Sequence, residues 1–379
     1  MSVPKFMHDP EVTYLNHGSF GGCPEEIFDH YLSWQRRLEA EPVRYIISDA
    51  WDNLLKARKS LSDFVGCDKD DIVLVTNPTT ALNIYVKSLD LHPGDEVLTT
   101  NLEYGACDRT WQYYCQKVGA KYVAAEIKLP VVSKEEIIEQ IFSKVTPATK
   151  FLFFSEIISS TAFILPANEL IAEAKKRGLI TIVDGAHTPG HIDLDISNLD
   201  PDVYIGACHK WMNGPKGVSF LYVRKELQES IDPLIVSWGY NAEQPSHSQF
   251  LDYHQMQGTR DFSAFLSLPF VIDFFQKNKW WEQSDRAKKM IIKNYEPLCD
   301  LMNTKPICPI SNEFLGQMCS VPLNIAEPMS MWDFLFNKYK IEIPVSKANG
   351  QHYLRLSLNA YNTQDQVDYL MKVIEKEFF

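Results

Sequence analysis

The chain has no CxxC pair, no GxGxxG behind an apolar run, no stretch of about 18 uncharged apolar residues, and a shortage of positive charge. Eight cysteines, at 23, 67, 107, 115, 208, 299, 308 and 319, follow no regular spacing. That scatter argues against a zinc ribbon or a disulfide framework and fits the reduced thiols of the cytoplasm. The missing apolar stretch excludes a membrane-spanning helix, and the opening "MSVPKFMHDPEV" has no apolar core of a secretory signal. A cytoplasmic protein without a membrane partner is the expectation. With 37 Lys and Arg against 49 Asp and Glu, the net charge of −12 works against a nucleic-acid partner, whose phosphates need basic side chains. The absent glycine fingerprint removes the nicotinamide-binding Rossmann enzymes.

What is present is an ordinary globular composition, 45% hydrophobic and 23% charged over 379 residues, which is more than one core usually holds. Seven short apolar runs, 71–76, 95–100, 120–127, 150–157, 179–186, 202–207 and 218–223, alternate with helical patterns such as "TTALNIYVKSL" and "ANELIAEAKKRG". Such alternation predicts an α/β fold with a mostly parallel seven-stranded sheet covered by helices on both faces. The segment after about 270 predicts a long helical stretch, short strands near "GQMCSVPLNI" and "YLRLSLNAY", and a helix from Gln364. The expected division is a large cofactor-binding α/β domain over 21–270, and a small α+β domain over 271–379 joined by the N-terminal segment 1–20.

Ligands of parallel sheets sit at the carboxyl ends of the strands, so the residues there carry the chemistry. "GACHKWMNGPKG", 206–217, puts Lys210 at such an end, where an ammonium loses hydration unless it reaches water or reacts. "VDGAH" places Asp184 and His187 at another, and Asn77-Pro78-Thr79-Thr80 opens a helix after a third. Taken singly, each has a plain alternative: Thr79 or Thr80 as a helix cap, Asp184 as a turn residue, His187 as a satisfied core histidine. Taken together, an amine, an acid and an anion cradle meet the three demands of pyridoxal 5'-phosphate. Its aldehyde needs an amine, its ring nitrogen a carboxylate and its phosphate a helix N-terminus.

The order "NPTTALN", "VDGAH", "CHKWMNGPKG", "GTRD", "YLRLSLNAYNT" resembles the class V aminotransferase family, fold-type I pyridoxal phosphate enzymes, across about residues 14–363. The opening "YLNHGSFGG" is similar to its isopenicillin N epimerase-like branch, related to cysteine desulfurases and C–S lyases. The resemblance implies Lys210 as the Schiff-base lysine, Asp184 at the ring nitrogen and His187 near the phenolic oxygen as catalytic residues. It implies Thr79, Thr80, Ser159, His209 and, from a neighbouring subunit of a homodimer with shared active sites, Gly258 and Thr259 around the cofactor, with Tyr104 stacked on its face. For the amino-acid substrate it implies Arg355 as receiver of the carboxylate, with Asn16 and His17 closing over the site.

Departures from the pattern narrow the chemistry. No cysteine lies in "IEIPVSKANGQHYLR", 341–355, where desulfurases carry their nucleophile. Glu156, Ala162 and Ala207 stand where histidine, glycine and a hydroxyl or amide are usual. The implied function is pyridoxal phosphate chemistry at Cα and Cβ of an amino acid, as an epimerase or a C–S lyase on a cysteine derivative. Class V transamination or cysteine desulfuration, and a non-catalytic cofactor-binding regulator, are the alternatives.

Overall fold

The computed structural model describes residues 3–378. The strands, in chain order, are β1 Thr13–Tyr14, β2 Ile72–Val75, β3 Glu96–Thr100, β4 Lys121–Ala125, β5 Thr149–Ser155, β6 Ile180–Gly185, β7 Val203–Ala207, β8 Ser219–Val223, β9 Met318–Pro322, β10 Ile341–Glu342, β11 Val345–Ala348 and β12 Gln351–Ser357. Seven of them form one sheet in the order β2-β8-β7-β6-β5-β3-β4. Every predicted apolar run became a strand of this sheet, and β8 alone runs antiparallel to its neighbours.

The strands are apolar on both faces because helices cover both. Along β5, Phe151 and Phe153 pack with residues of helices Pro78–Lys87 and Gly105–Val118, while Leu152 and Phe154 join the core formed with helices Ala50–Val65, Ala167–Lys176 and Leu268–Lys277. Local chemistry sets the helix ends: Asn77 accepts the Thr80 amide at 2.8 Å at the start of Pro78–Lys87, and Gly66 and Gly119, at φ of 70° and 79°, close the helices before them.

A second sheet, β11-β12-β9, is antiparallel and packs on helix Trp280–Leu301. The N-terminal segment is tied to it, with β1 pairing parallel to β10 and Asn16 bridging to Ser357 at the end of β12. The structure adds elements the sequence pattern did not predict: β1, β10, β11, and helices Gln249–Gln255 and Ser330–Tyr339. The two sheets meet where the carboxyl ends of β2, β3, β5, β6 and β7 face β12.

Candidate active site

A cavity of about 370 Å³ opens at that junction, lined by Asn77, Pro78 and Thr79 after β2, Tyr104 and Cys107 after β3, Ser155, Ile157 and Ser159 from β5 and its loop, Asp184, Ala186 and His187 from β6, His209 and Lys210 after β7, and Ser19, Phe20 and Arg355 from across the junction. All of the sheet-borne residues stand at carboxyl ends, where the helix starting at Pro78 also presents its positive end.

Lys210 Nζ lies 3.1 Å from His187 Nε2. The proton positions follow from what surrounds His187. Trp211 Nε1, which can only donate, points at His187 Nδ1 at 3.2 Å, so the neutral imidazole carries its proton on Nε2, facing Lys210 and the cavity. His187 is only 3% exposed, and burial, helped by the charges of Lys210 and Arg355, holds it well below the usual histidine range. Burial also pulls the Lys210 ammonium down to about 8, against the opposing pull of the Asp184 carboxylate. Nε2–H therefore donates to a lysine that readily exists as the free amine.

The lock on His187 extends outward. His191 Nδ1–H donates to the His187 carbonyl at 2.9 Å, and His191 Nε2 accepts the Gln317 amide at 2.5 Å, which comes from the residue before β9. The smaller sheet thus helps to hold the imidazole that faces Lys210.

Asp184 is 5% exposed. It accepts the Ala186 amide at 2.9 Å and the Cys107 thiol at 3.5 Å, and burial raises it above the ordinary carboxyl range. Neither donor is a cation, so the buried carboxylate retains capacity for a charged partner. Gly185 behind it has no side chain because Tyr204 occupies that space: a Cβ there would lie 2.1 Å from the Tyr204 hydroxyl.

Arg355 is also 5% exposed, yet meets only neutral acceptors. Nη1 donates to the Ser159 carbonyl at 2.6 Å and its hydroxyl at 3.2 Å, and Nη2 to the Ser19 hydroxyl at 2.6 Å. Its Nε has no partner, and burial pulls the guanidinium down to about 10, which still leaves it charged at neutral pH. A buried cation without an anion is a receptor for one.

Among the residues singled out in the sequence, Lys210, Asp184, His187, His209, Thr79, Tyr104, Ser159 and Arg355 converge on the cavity. Thr80 does not line it; its amide and hydroxyl both turn to Asn77 Oδ1. His17 is fully buried outside it, with its ring nitrogens against the Tyr361 hydroxyl and the Lys210 carbonyl. Asn16 hydrogen-bonds Glu342 and Ser19 instead of facing the cavity. Gly258 and Thr259 are exposed and apart from the lining residues.

Ser19, Phe20, Cys107 and Ser155 line the cavity and were not singled out. The glycines of "SFGG" carried a usable signal: Gly21, at φ 71°, packs so closely on the next segment that a Cβ would sit 2.1 Å from the His209 carbonyl oxygen and 2.8 Å from Lys210 Cα. The departures also acquire reasons. Ala162 holds φ 66°, a conformation that glycine adopts without strain. Glu156 turns away from the cavity and accepts the Tyr204 and Thr188 hydroxyls at 2.5 and 2.8 Å.

Residues 23–370 match the family described as aminotransferase class-V. The chain is 31% identical over 97% of its length, and 96% of the relative's, to the isopenicillin N epimerase of Amycolatopsis lactamdurans. It is 26% identical over 97% of its length, and 83% of the relative's, to the probable chloroplastic L-cysteine desulfhydrase of Arabidopsis thaliana. A solved structure of a C-DES variant with glycine covalently linked to its PLP cofactor superposes with a TM-score of 0.82 at 20% identity, covering 97% of each chain. This last likeness bears on the fold.

Proposed function

Because the chain belongs to the aminotransferase class-V family, we propose that it binds pyridoxal 5'-phosphate and eliminates a sulfur substituent from Cβ of a cysteine-derived amino acid. One observation carries this reading: a lysine amine 3.1 Å from a locked imidazole, beside an unpaired buried acid and across a cavity from an unpaired buried arginine.

The residues suit the cofactor. Lys210 offers the amine for its aldehyde, Asp184 the carboxylate for its ring nitrogen, and His187 Nε2–H a donor to its phenolic oxygen. Thr79, with the helix N-terminus, and His209 line the same cavity and would hold the cofactor's phosphate, and Tyr104 would lie against its ring. When bound, the cofactor supplies a carbonyl that links to the substrate nitrogen and a ring that takes up the electrons freed at Cα.

The chain's own residues do the rest. Arg355 receives the substrate carboxylate in a two-bond fork, fixing which bond at Cα faces the lysine. Lys210, whose ammonium burial brings down to about 8 so that it gives up its proton far more readily than an ordinary lysine, removes the Cα proton as the free amine. Asp184 keeps the ring nitrogen protonated while charge builds there. The carbon–sulfur bond at Cβ then breaks, the thiol leaves with a proton, and hydrolysis of the remaining fragment yields pyruvate and ammonia.

No cysteine stands ready to take the sulfur. None lies between Ile341 and Arg355, and burial, with the neighbouring Asp184 charge, pushes the thiol of Cys107, the one cysteine lining the cavity, well above its usual range. Epimerisation is the second reading, favoured by 31% identity to an isopenicillin N epimerase. We further propose a cytoplasmic homodimer in which the partner's copy of the exposed 258–259 turn completes the phosphate end; all eight cysteines are free, as a reducing compartment would keep them. Incubation of the holoenzyme with S-alkyl-L-cysteines in D₂O tests the reaction by NMR. The expected products are pyruvate, ammonia and the alkanethiol. Deuterium at an inverted Cα with no pyruvate would establish the epimerase instead.

A further inference from the structure

We propose that the cavity adjoining the active site is a subsite for the far end of the substrate's side chain, and that this end carries a cationic nitrogen in an apolar jacket, such as an alkylated ammonium. The inference rests on the amino-acid chemistry proposed above and names the substrate class for that site.

The second cavity, of about 600 Å³, shares Ser19 and Phe20 with the first. A cofactor and an α-amino-acid head occupy much of a 370 Å³ space, so a long substituent on Cβ has this shared wall as its way out. Tyr14, Trp332 and Phe336 form aromatic walls beyond it, and two carboxylates, Asp9 and Glu342, join them. The basic side chain of the lining is His8, which burial and the charge of Lys216 hold at about 4, so it stays neutral. Glu342 forms no ion pair among the described residues; its Oε1 accepts Asn16 Nδ2 at 3.0 Å and Trp332 Nε1 at 3.3 Å. Aromatic faces together with unpaired carboxylates bind an organic cation and reject an anion. Phe336 already takes the Lys340 ammonium at 5.4 Å from its ring centre.

A chain of hydrogen bonds joins the two sites. Arg355 Nη2–H donates to Ser19 Oγ at 2.6 Å, Ser19 O–H donates to Asn16 Oδ1 at 2.6 Å, and Asn16 Nδ2–H donates to Glu342 Oε1 at 3.0 Å. One end of this chain is the buried Arg355 cation, which has no acid partner among the described residues, and the other is an acid. The joined cavity therefore complements a zwitterionic head at one end and a positive charge at the other.

The probes are α-methyl forms of three S-substituted L-cysteines, which lack the Cα hydrogen and bind without turnover. Their substituents are 2-(trimethylammonio)ethyl, its neutral isostere 3,3-dimethylbutyl, and 2-sulfoethyl. Holoenzyme is titrated with each by calorimetry and by cofactor absorbance. The cationic ligand should bind about 10-fold tighter than the isostere, and the sulfonate weakest, as one or two cation–π contacts and a carboxylate imply. In Glu342→Gln, which keeps the shape of the side chain, the ratio of cation to isostere should fall toward one. Equal affinity for cation and isostere, tighter binding of the sulfonate, or an unchanged ratio in Glu342→Gln overturns the subsite. Absence of any absorbance change with all three, and with α-methylalanine, overturns instead the cofactor reading on which it rests.

Discussion

Replacing Arg355 by methionine separates binding from stability. The side chain is 5% exposed and bonded only to Ser159 and Ser19, so the substitution removes a buried cation that no acid offsets. Exchanging buried charge for an apolar chain of similar length stabilises by roughly 1–4 kcal/mol, while the Ser159 carbonyl, left without its 2.6 Å donor, costs about 1–3 kcal/mol. The two nearly cancel, and the ligand-free variant should unfold in urea within about 2 kcal/mol of the native protein. Substrate affinity has no such compensation. Two charge-assisted bonds to a carboxylate, at about 1.5–2 kcal/mol each, are lost, which is roughly two to three orders of magnitude in affinity. Absorbance titration of the bound cofactor with an amino acid and with the corresponding amine lacking the carboxylate reads this directly. The amino acid should weaken by that factor and the amine by less than about threefold. An amino acid that still binds within fivefold of native, or an equal loss for the amine, refutes the assignment. A stability loss well beyond 4 kcal/mol would make Arg355 a structural residue.

Three further outcomes follow from the same geometry. Lys210→Ala should lose turnover while still retaining the cofactor, because the helix N-terminus, His209 and Asp184 remain; dialysis followed by absorbance checks retention, and native-like rates would remove Lys210 from the chemistry. With Lys210 held at about 8 by burial instead of at the ordinary 10.5, the reactive free amine grows with pH only up to that value. Covalent uptake of pyridoxal phosphate by the apoprotein should thus rise about tenfold per unit below pH 8 and level above it, by borohydride trapping; a rate still climbing between pH 9 and 10 contradicts the buried-amine argument. After turnover of a cysteine-type substrate, intact-protein mass spectrometry should find no persulfide on any of the eight cysteines; one that formed and discharged at the catalytic rate would restore a desulfurase.

The seven sheet strands, the helices between them, and Lys210, Asp184 and His187 were legible because each depends on neighbours in the chain. An apolar run bounded by polar turns forms a buried strand wherever it is packed, and whatever follows that run stands at the carboxyl end of the sheet. The direction of β8 was less legible, although its signal was present: the 11 residues from Cys208 to Val218 are too few for a helical crossover, so the strand must turn back. Thr79 and Thr80 show the limit of adjacency. Both follow Asn77, but the cap directs Thr80 inward to the asparagine and leaves Thr79 on the cavity wall.

Contacts between distant segments were decided by the tertiary structure alone. His187 takes its tautomer from Trp211, Arg355 finds Ser19 across 336 residues, and His17 reaches the Lys210 carbonyl across 193. No local pattern encodes such pairs, because they arise when the N-terminal segment is pinned between the two sheets by β1 and β10 and by the close approach of Gly21 to Lys210. The sequence by itself determined which titratable groups stand together at the strand ends, through residue type and position. Their charge states, and the lining that Asn16, Glu342 and Trp332 give to the second cavity, were set by packing, because burial and hydrogen-bond direction exist only once distant segments exclude water from one another.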